Sequence, residues 1–381
     1  MRETNDSASD HKNGFPHFML KEIYEQPEAV RKTIGACLDR AGKVVLPPPC
    51  LPVDEIHVLR KISIAASGSS RHAGLAGEFM LERMTCLPVE VDFASQYCYR
   101  DPIVGANELT IVISQSGTTA DTLAALQEAR RKGSKTLAIC NVPDTPLTRD
   151  ADATLLTFAG KENSIAATKS FTTQLTALFI LSAHIAEVRG QSHASIHAAV
   201  RELRRLPQQI EQILETDPEC LALAQQVFMY EDFMFMGRDI DYPIALEGAL
   251  KLKEVSYIHA EGYPTGEIKH GPTALLDEKV PVVVLMSRDA SDEASCLRYE
   301  KSLPSIRELT ERGIRVIAVI TAGDKVVPKI TPNVVPIPDV PVLLQPILEV
   351  IPLQLLAYHI AVLRGRDVDR PRNLSKSVLV E

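Results

Sequence analysis

Short, nearly continuous apolar runs alternate with amphipathic segments along this chain, and they do so in two series. In the first, residues 61–66, 89–94, 109–114, 136–141 and 154–158 read as strands, with helices at 72–84, 119–132 and 168–188. In the second, strands at 233–237, 282–286 and 316–320 alternate with helices at 243–258, 294–312 and 342–363. A run such as Leu109-Thr-Ile-Val-Ile-Ser114 is apolar on both faces, as a strand covered on both sides must be. Strands separated by helices give a parallel sheet between helical layers. The fold class is therefore α/β, with two similar halves, each a mostly parallel sheet with helices on both faces.

The punctuation divides the chain further. Residues 1–17 are mostly polar and read as a disordered leader. Residues 18–52 read as one helix, 19–40, followed by the linker Leu46-Pro-Pro-Pro-Cys-Leu-Pro52, which cannot be helical. The first half is placed at 53–192, the second at 193–364 beginning with helices up to about residue 229, and a polar tail at 365–381.

Charge narrows the partners. Lys and Arg number 41 against 49 Asp and Glu, a formal charge of −8, with no basic run. Such a chain has no electrostatic footprint for nucleic acid or an anionic membrane surface. The N-terminus lacks the apolar core of a signal peptide. The most apolar helical stretch, near 176–185, is too short to span a bilayer and contains His184. The seven cysteines are scattered, with no CxxC, which fits a reducing cytoplasm rather than a disulfide framework or zinc ribbon. His193 and His197 have i, i+4 spacing without an evident third ligand, so no metal is expected.

Ligands of an open parallel sheet bind beyond the carboxyl ends of its strands. Two such ends carry hydroxyl-rich turns: Ser67-Gly-Ser-Ser70 and Ser114-Gln-Ser-Gly-Thr-Thr119. Each offers hydroxyls and backbone N–H groups at a helix N-terminus, which suits a phosphate. Taken singly, such hydroxyls are simply helix caps; two turns at neighbouring strand ends favour the phosphate. Neither matches the P-loop pattern, and no G-x-G-x-x-G follows a strand, so a phosphorylated small molecule is expected rather than ATP or NAD.

On a helix over 243–258, Glu247, Lys251 and Glu254 share one face. An exposed ion-pair stripe would look the same. Here Ala245, Leu246, Ala249, Leu250 and Val255 surround the face, so the helix is expected to be largely buried. Partial burial then fits Glu254 for proton transfer, because it raises a carboxyl pKa. His270, in Gly266-Glu-Ile-Lys-His-Gly-Pro272, sits in a turn where an imidazole can act as acid or base. Lys376, in the tail, becomes a Schiff-base amine if desolvated and an ordinary surface lysine if not.

These residues resemble the isomerase part of the glucosamine-6-phosphate synthases (glutamine–fructose-6-phosphate aminotransferases), a tandem pair of sugar-isomerase, or SIS, domains with a flavodoxin-like sandwich. The likeness runs from about Phe18 to Glu381. It is carried by Met19-Leu-Lys-Glu-Ile-Tyr-Glu-Gln-Pro27, Ser114-Gln-Ser-Gly117, Leu137-Ala-Ile-Cys-Asn-Val-Pro143, Ala167-Thr-Lys-Ser-Phe-Thr-Thr-Gln-Leu175, residues 242–272 and Pro371-Arg-Asn-Leu-Ser-Lys-Ser-Val378. The resemblance implies that Ser69, Ser70, Ser114, Gln115, Ser116 and Thr119 hold the sugar phosphate, with Ala167 beside them. It implies Glu254 as the base between C1 and C2, His270 as the ring-opening group supplied by the partner subunit, and Lys376 as the Schiff-base amine. Glu247 and Lys251 would tune Glu254. It further implies a homodimer with shared active sites and no metal or organic cofactor.

Departures from the family pattern bear on the nitrogen donor. Residue 2 is Arg and nothing of the glutaminase domain precedes residue 18, so glutamine is not expected to be the direct nitrogen donor unless a separate glutaminase supplies ammonia. Ala167 stands where the synthases carry Ser, Thr118 where Glu is usual and Ser375 where Ala is usual. The Ala-Ala-Thr-Lys form looks more like stand-alone SIS-type deaminases and deglycases. The expected activity is interconversion of glucosamine 6-phosphate with fructose 6-phosphate and ammonia, in either direction. The alternatives are a deglycase or isomerase of another sugar phosphate, and a non-catalytic sugar-phosphate sensor.

Overall fold

The apolar runs form two five-stranded sheets in the computed structural model, which describes residues 11–191 and 194–378. The first contains β1 (Lys61–Ala66), β2 (Val89–Phe93), β3 (Glu108–Ser114), β4 (Lys135–Cys140) and β5 (Ala153–Leu156). The second contains β6 (Asp232–Gly237), β7 (His259–Pro264), β8 (Val282–Met286), β9 (Val316–Thr321) and β10 (Val334–Ile337). All pairings within both sheets are parallel. The orders are β2-β1-β3-β4-β5 and β10-β9-β8-β6-β7, the same doubly wound order in each half. In each, the winding reverses between the first and third strands, which is where such sheets open a crevice for ligands.

Alternate residues of the strands serve two cores. Ile62, Ile64, Ile111 and Ile113 join one large cluster that runs through both halves, while Ala65 and Val112 face a smaller one under the helix Ala120–Arg131. Met234, Met236, Val282 and Val284 face a third cluster under the helix Glu293–Glu311. The shared core is built where the helix Gly68–Thr85 packs on the helix Lys169–Val188, and the helix Tyr242–Ser256 packs on both Gln345–Leu363 and Gly68–Thr85. That last contact lays a helix of the second half across the ligand end of the first.

Several expectations need correction. The single helix at 19–40 is two, Phe18–Tyr24 and Gln26–Cys37, separated at Glu25 just before a helix whose first turn holds Pro27. Of the expected leader, residues 1–10 lie outside the described residues. Residues 11–17 are tied to the far end of the chain: Lys12 pairs with Asp369, and His17 Nδ1 lies 2.9 Å from the Tyr358 hydroxyl. The apolar stretch near 176–185 belongs to a helix of 20 residues, Lys169–Val188, so length does not exclude a membrane span. That helix and residues 342–363 are apolar and long enough to cross a bilayer, but 83% and 89% of their apolar windows are buried inside the fold, as in core helices. His193 lies outside the described residues, so nothing is added to its pairing with His197.

Candidate functional site

The two hydroxyl-rich turns follow β1 and β3, which are hydrogen-bonded neighbours, and so lie side by side at the winding reversal of the first sheet. The helices they open, Gly68–Thr85 and Ala120–Arg131, aim their N-termini at the same cavity of about 280 Å³. Neither Ser67 nor Thr119, the residues preceding these helices, makes a side-chain capping bond. The plain capping explanation of these two hydroxyls therefore fails, and two helix N-termini converge on one space.

The second turn is held in shape from below. Ser114 Oγ accepts from Gly117 N at 3.1 Å, and Thr118 N donates to Ser116 Oγ at 3.3 Å. Gly117 has φ +67°, and a Cβ there would lie 2.9 Å from Cys140 Sγ and 2.7 Å from Thr145 Cβ. Only glycine satisfies both the left-handed backbone and the space. Ser69, Ser70, Ser114, Gln115, Ser116, Thr119 and Ala167 all line the cavity.

Glu254 enters the same cavity from the helix Tyr242–Ser256. Lys251 Nζ lies 2.5 Å from Glu254 Oε2 and 3.4 Å from Glu247 Oε1, and donates to Ser69 Oγ at 3.1 Å. His72 Nδ1 is 2.8 Å from the other oxygen of Glu247. Lys251 and Glu247 are fully buried, whereas the Glu254 side chain is 22% exposed. Burial alone would lower the Lys251 pKa, but the Glu254 and Glu247 carboxylates outweigh it and hold the ammonium above its ordinary value. For Glu247, burial is outweighed by Lys251 and His72, and the carboxyl sits below its usual range. The buried members of the helix face are thus Glu247 and Lys251, while Glu254 is the member presented to the cavity.

The tail completes the enclosure. It leaves the last helix, donates Arg372 N to the Tyr257 hydroxyl at 2.8 Å, and reaches the second turn, where Ala120 N donates to Val378 O at 3.1 Å. Lys376 is carried into the cavity wall and donates to Glu162 Oε2 at 2.6 Å and Ser164 O at 2.7 Å. It is neither a frayed surface lysine nor an isolated desolvated amine, but a salt-bridged ammonium. Glu162 is the cavity residue that sequence reasoning missed. Its only signal was its place in Lys161-Glu-Asn-Ser-Ile-Ala-Ala-Thr-Lys169, beside residues already singled out.

His270 is not part of this assembly. It ends the short turn Glu267–His270, is exposed, and does not line the cavity.

A family model described as the SIS domain matches residues 55–182 and 232–364, one match on each sheet. The chain belongs to the SIS domain family. The chain is 47% identical over 374 residues to a glutamine–fructose-6-phosphate aminotransferase (isomerizing) from Thermus thermophilus, a match covering 97% of this chain and 60% of that protein. The chain therefore spans about 60% of the length of such relatives. A solved structure, the C-terminal domain of glucosamine-fructose-6-phosphate aminotransferase from Francisella tularensis, superposes with a TM-score of 0.87 at 37% identity, covering 94% of this chain and 100% of that one. A glucosamine-6-phosphate deaminase from Thermotoga maritima shares the fold, with a TM-score of 0.69 at 24% identity over 95% of this chain and 99% of that one. This SIS pair has one cavity that joins both hydroxyl-rich turns, Glu254 and Lys376.

Proposed function

We propose that the chain interconverts fructose 6-phosphate plus ammonia with glucosamine 6-phosphate. The observation that carries this reading is the single cavity in which two helix N-termini, a carboxylate and a lysine face one another. The helix ends and their hydroxyls hold the phosphate, which fixes the open-chain sugar along the cavity. Lys376, once freed as an amine, adds to the C2 carbonyl and expels water to form an imine. Ammonia replaces the lysine nitrogen at C2. Glu254 then removes a proton from C1 and returns it to C2, while the C1 hydroxyl proton passes to the imine nitrogen, leaving an aldehyde at C1 and an amine at C2. Lys251 and Glu247 hold Glu254 in place. The reverse sequence is a deamination through the same groups.

His270 is exposed outside the cavity of its own chain. We place it over the cavity of a second copy, in a homodimer with shared sites, where it opens the sugar ring. The nitrogen for synthesis comes from ammonia, delivered by a glutaminase or free in solution. Seven cysteines without a disulfide fit a reducing cytoplasmic setting. A sensor needs the phosphate turns but gains nothing from the Glu254–Lys251–Glu247 group, which favours catalysis over sensing.

Incubation with glucosamine 6-phosphate tests this reading. Ammonia and fructose 6-phosphate are expected in equal amounts. Binding of the sugar phosphate without either product would contradict the reaction and return a sensor or another sugar-phosphate substrate.

A further inference from the structure

The lysine of the cavity is held by a carboxylate that the proposed chemistry does not use. The Glu162 side chain is fully buried. Its Oε1 accepts Thr168 N at 3.0 Å and Ser170 N at 3.1 Å, and its Oε2 accepts Ser170 Oγ at 2.8 Å as well as Lys376 Nζ. Thr168 and Ser170 lie at the start of the 20-residue helix Lys169–Val188, so the carboxylate also sits at a helix N-terminus. The loop that carries it is fixed from the other side by Glu22, which accepts Asn163 N and, at 3.2 Å, Ser164 N.

We propose that Glu162 is a positioning residue for Lys376: its buried carboxylate docks the ammonium in the cavity wall and holds it there until the amine is released to react.

Three donors other than Lys376 fix Glu162, so it stays in place when the lysine swings away. An ammonium is not a nucleophile, and the lysine must both leave Glu162 and lose a proton before it meets a carbonyl. Although burial alone would raise the Glu162 carboxyl, Lys376 and the backbone donors hold it down at about 2. In the salt bridge Glu162 is the docking anion. The other charged groups facing Lys376 are few. Glu254 lines the same cavity. Glu22, in the first helix, is pushed up to about 7 by burial and then by Glu162. Lys169, close to Glu22, has its charge tied to Glu25 at 2.8 Å. Among these groups only Glu162 is in hydrogen-bonded contact with the ammonium, so removing its charge acts on Lys376 first.

The role in catalysis rests on reading Lys376 as the reacting amine, but the coupling is measured without any sugar. The full chain is treated with acetic anhydride at graded pH, and acetylation of Lys376 is followed by mass spectrometry of the tail peptide. In Glu162→Gln the half-acetylation pH of Lys376 is expected to fall by about one unit or more, the size of shift a contacting opposite charge produces. Lys43 on the surface serves as the control and is expected to keep its profile. An unchanged Lys376 profile in the folded variant overturns the proposal. Glu162→Asp, which keeps the charge but withdraws it by one methylene, covers a failure of the amide to fold: a smaller shift in the same direction is expected, and none contradicts the proposal. With sugar phosphate present, the alkaline-rising limb of imine formation is expected to move with the acetylation profile, and KM to rise as the tail loses its dock. An acetylation shift in a protein with no turnover supports the coupling and faults the functional reading alone.

Discussion

Glu254→Gln is expected to slow interconversion of the sugar phosphates by about a hundred- to ten-thousand-fold, the usual contribution of a positioned general base, while sugar-phosphate affinity changes little. The amide keeps the size and shape of the carboxylate but cannot accept the C1 proton. In the proposed reading the phosphate is held by the turns after β1 and β3, which Glu254 does not build. The substitution does cost Lys251 its nearest counter-charge, at 2.5 Å, yet Glu247 at 3.4 Å and Ser69 at 3.1 Å remain around the buried ammonium. Some loss of stability is expected for that reason, since a buried charge is costly when a partner is removed. Turnover measured beside calorimetric binding separates the two effects. Full activity in this variant would remove Glu254 from the mechanism.

Gly117→Ala is expected to damage binding and stability together. The added methyl must occupy a left-handed backbone conformation, at about 1–2 kcal/mol, and push against a packed neighbour, at about 1–3 kcal/mol. That neighbour cannot yield easily. Thr145 caps the helix Pro146–Asp150 through a reciprocal pair of bonds with Thr148, and Leu147 N donates back to Gly117 O at 3.2 Å. The strain is therefore relieved by moving the turn Ser114–Thr119, and with it half of the proposed phosphate cradle. A lower melting temperature with weakened affinity for the sugar phosphate is the expected pair of results. A variant that binds as tightly as the parent would show that the turn does not hold the ligand.

The fold was legible wherever strands are buried on both faces, because a run such as Lys61–Ala66 or Val282–Met286 has few other uses. The two strands without a sequence signal, β7 and β10, are the edges of the second sheet. Edge strands tolerate proline and polar residues, and His259-Ala-Glu-Gly-Tyr-Pro264 and Val334-Val-Pro-Ile337 carry both or one of these. The two hydroxyl-rich turns could be placed because a turn after a strand and before a helix is a local pattern. Glu162 could not. Its meaning depends on Lys376, 214 residues further along the chain, and on backbone donors that exist only once the helix Lys169–Val188 has formed. For the same reason the ionic state of Lys376 was open in the sequence: the tail has no acidic neighbour of its own near that residue.

The account stands on one cavity that brings sugar phosphate and lysine together, and borohydride trapping reads this directly. The chain is incubated with fructose 6-phosphate, reduced, digested and analysed by mass spectrometry. A reduced sugar-phosphate adduct is expected on Lys376, absent from Lys376→Met and competed away by glucosamine 6-phosphate. An adduct confined to other lysines, or none in a protein that binds fructose 6-phosphate, would contradict it.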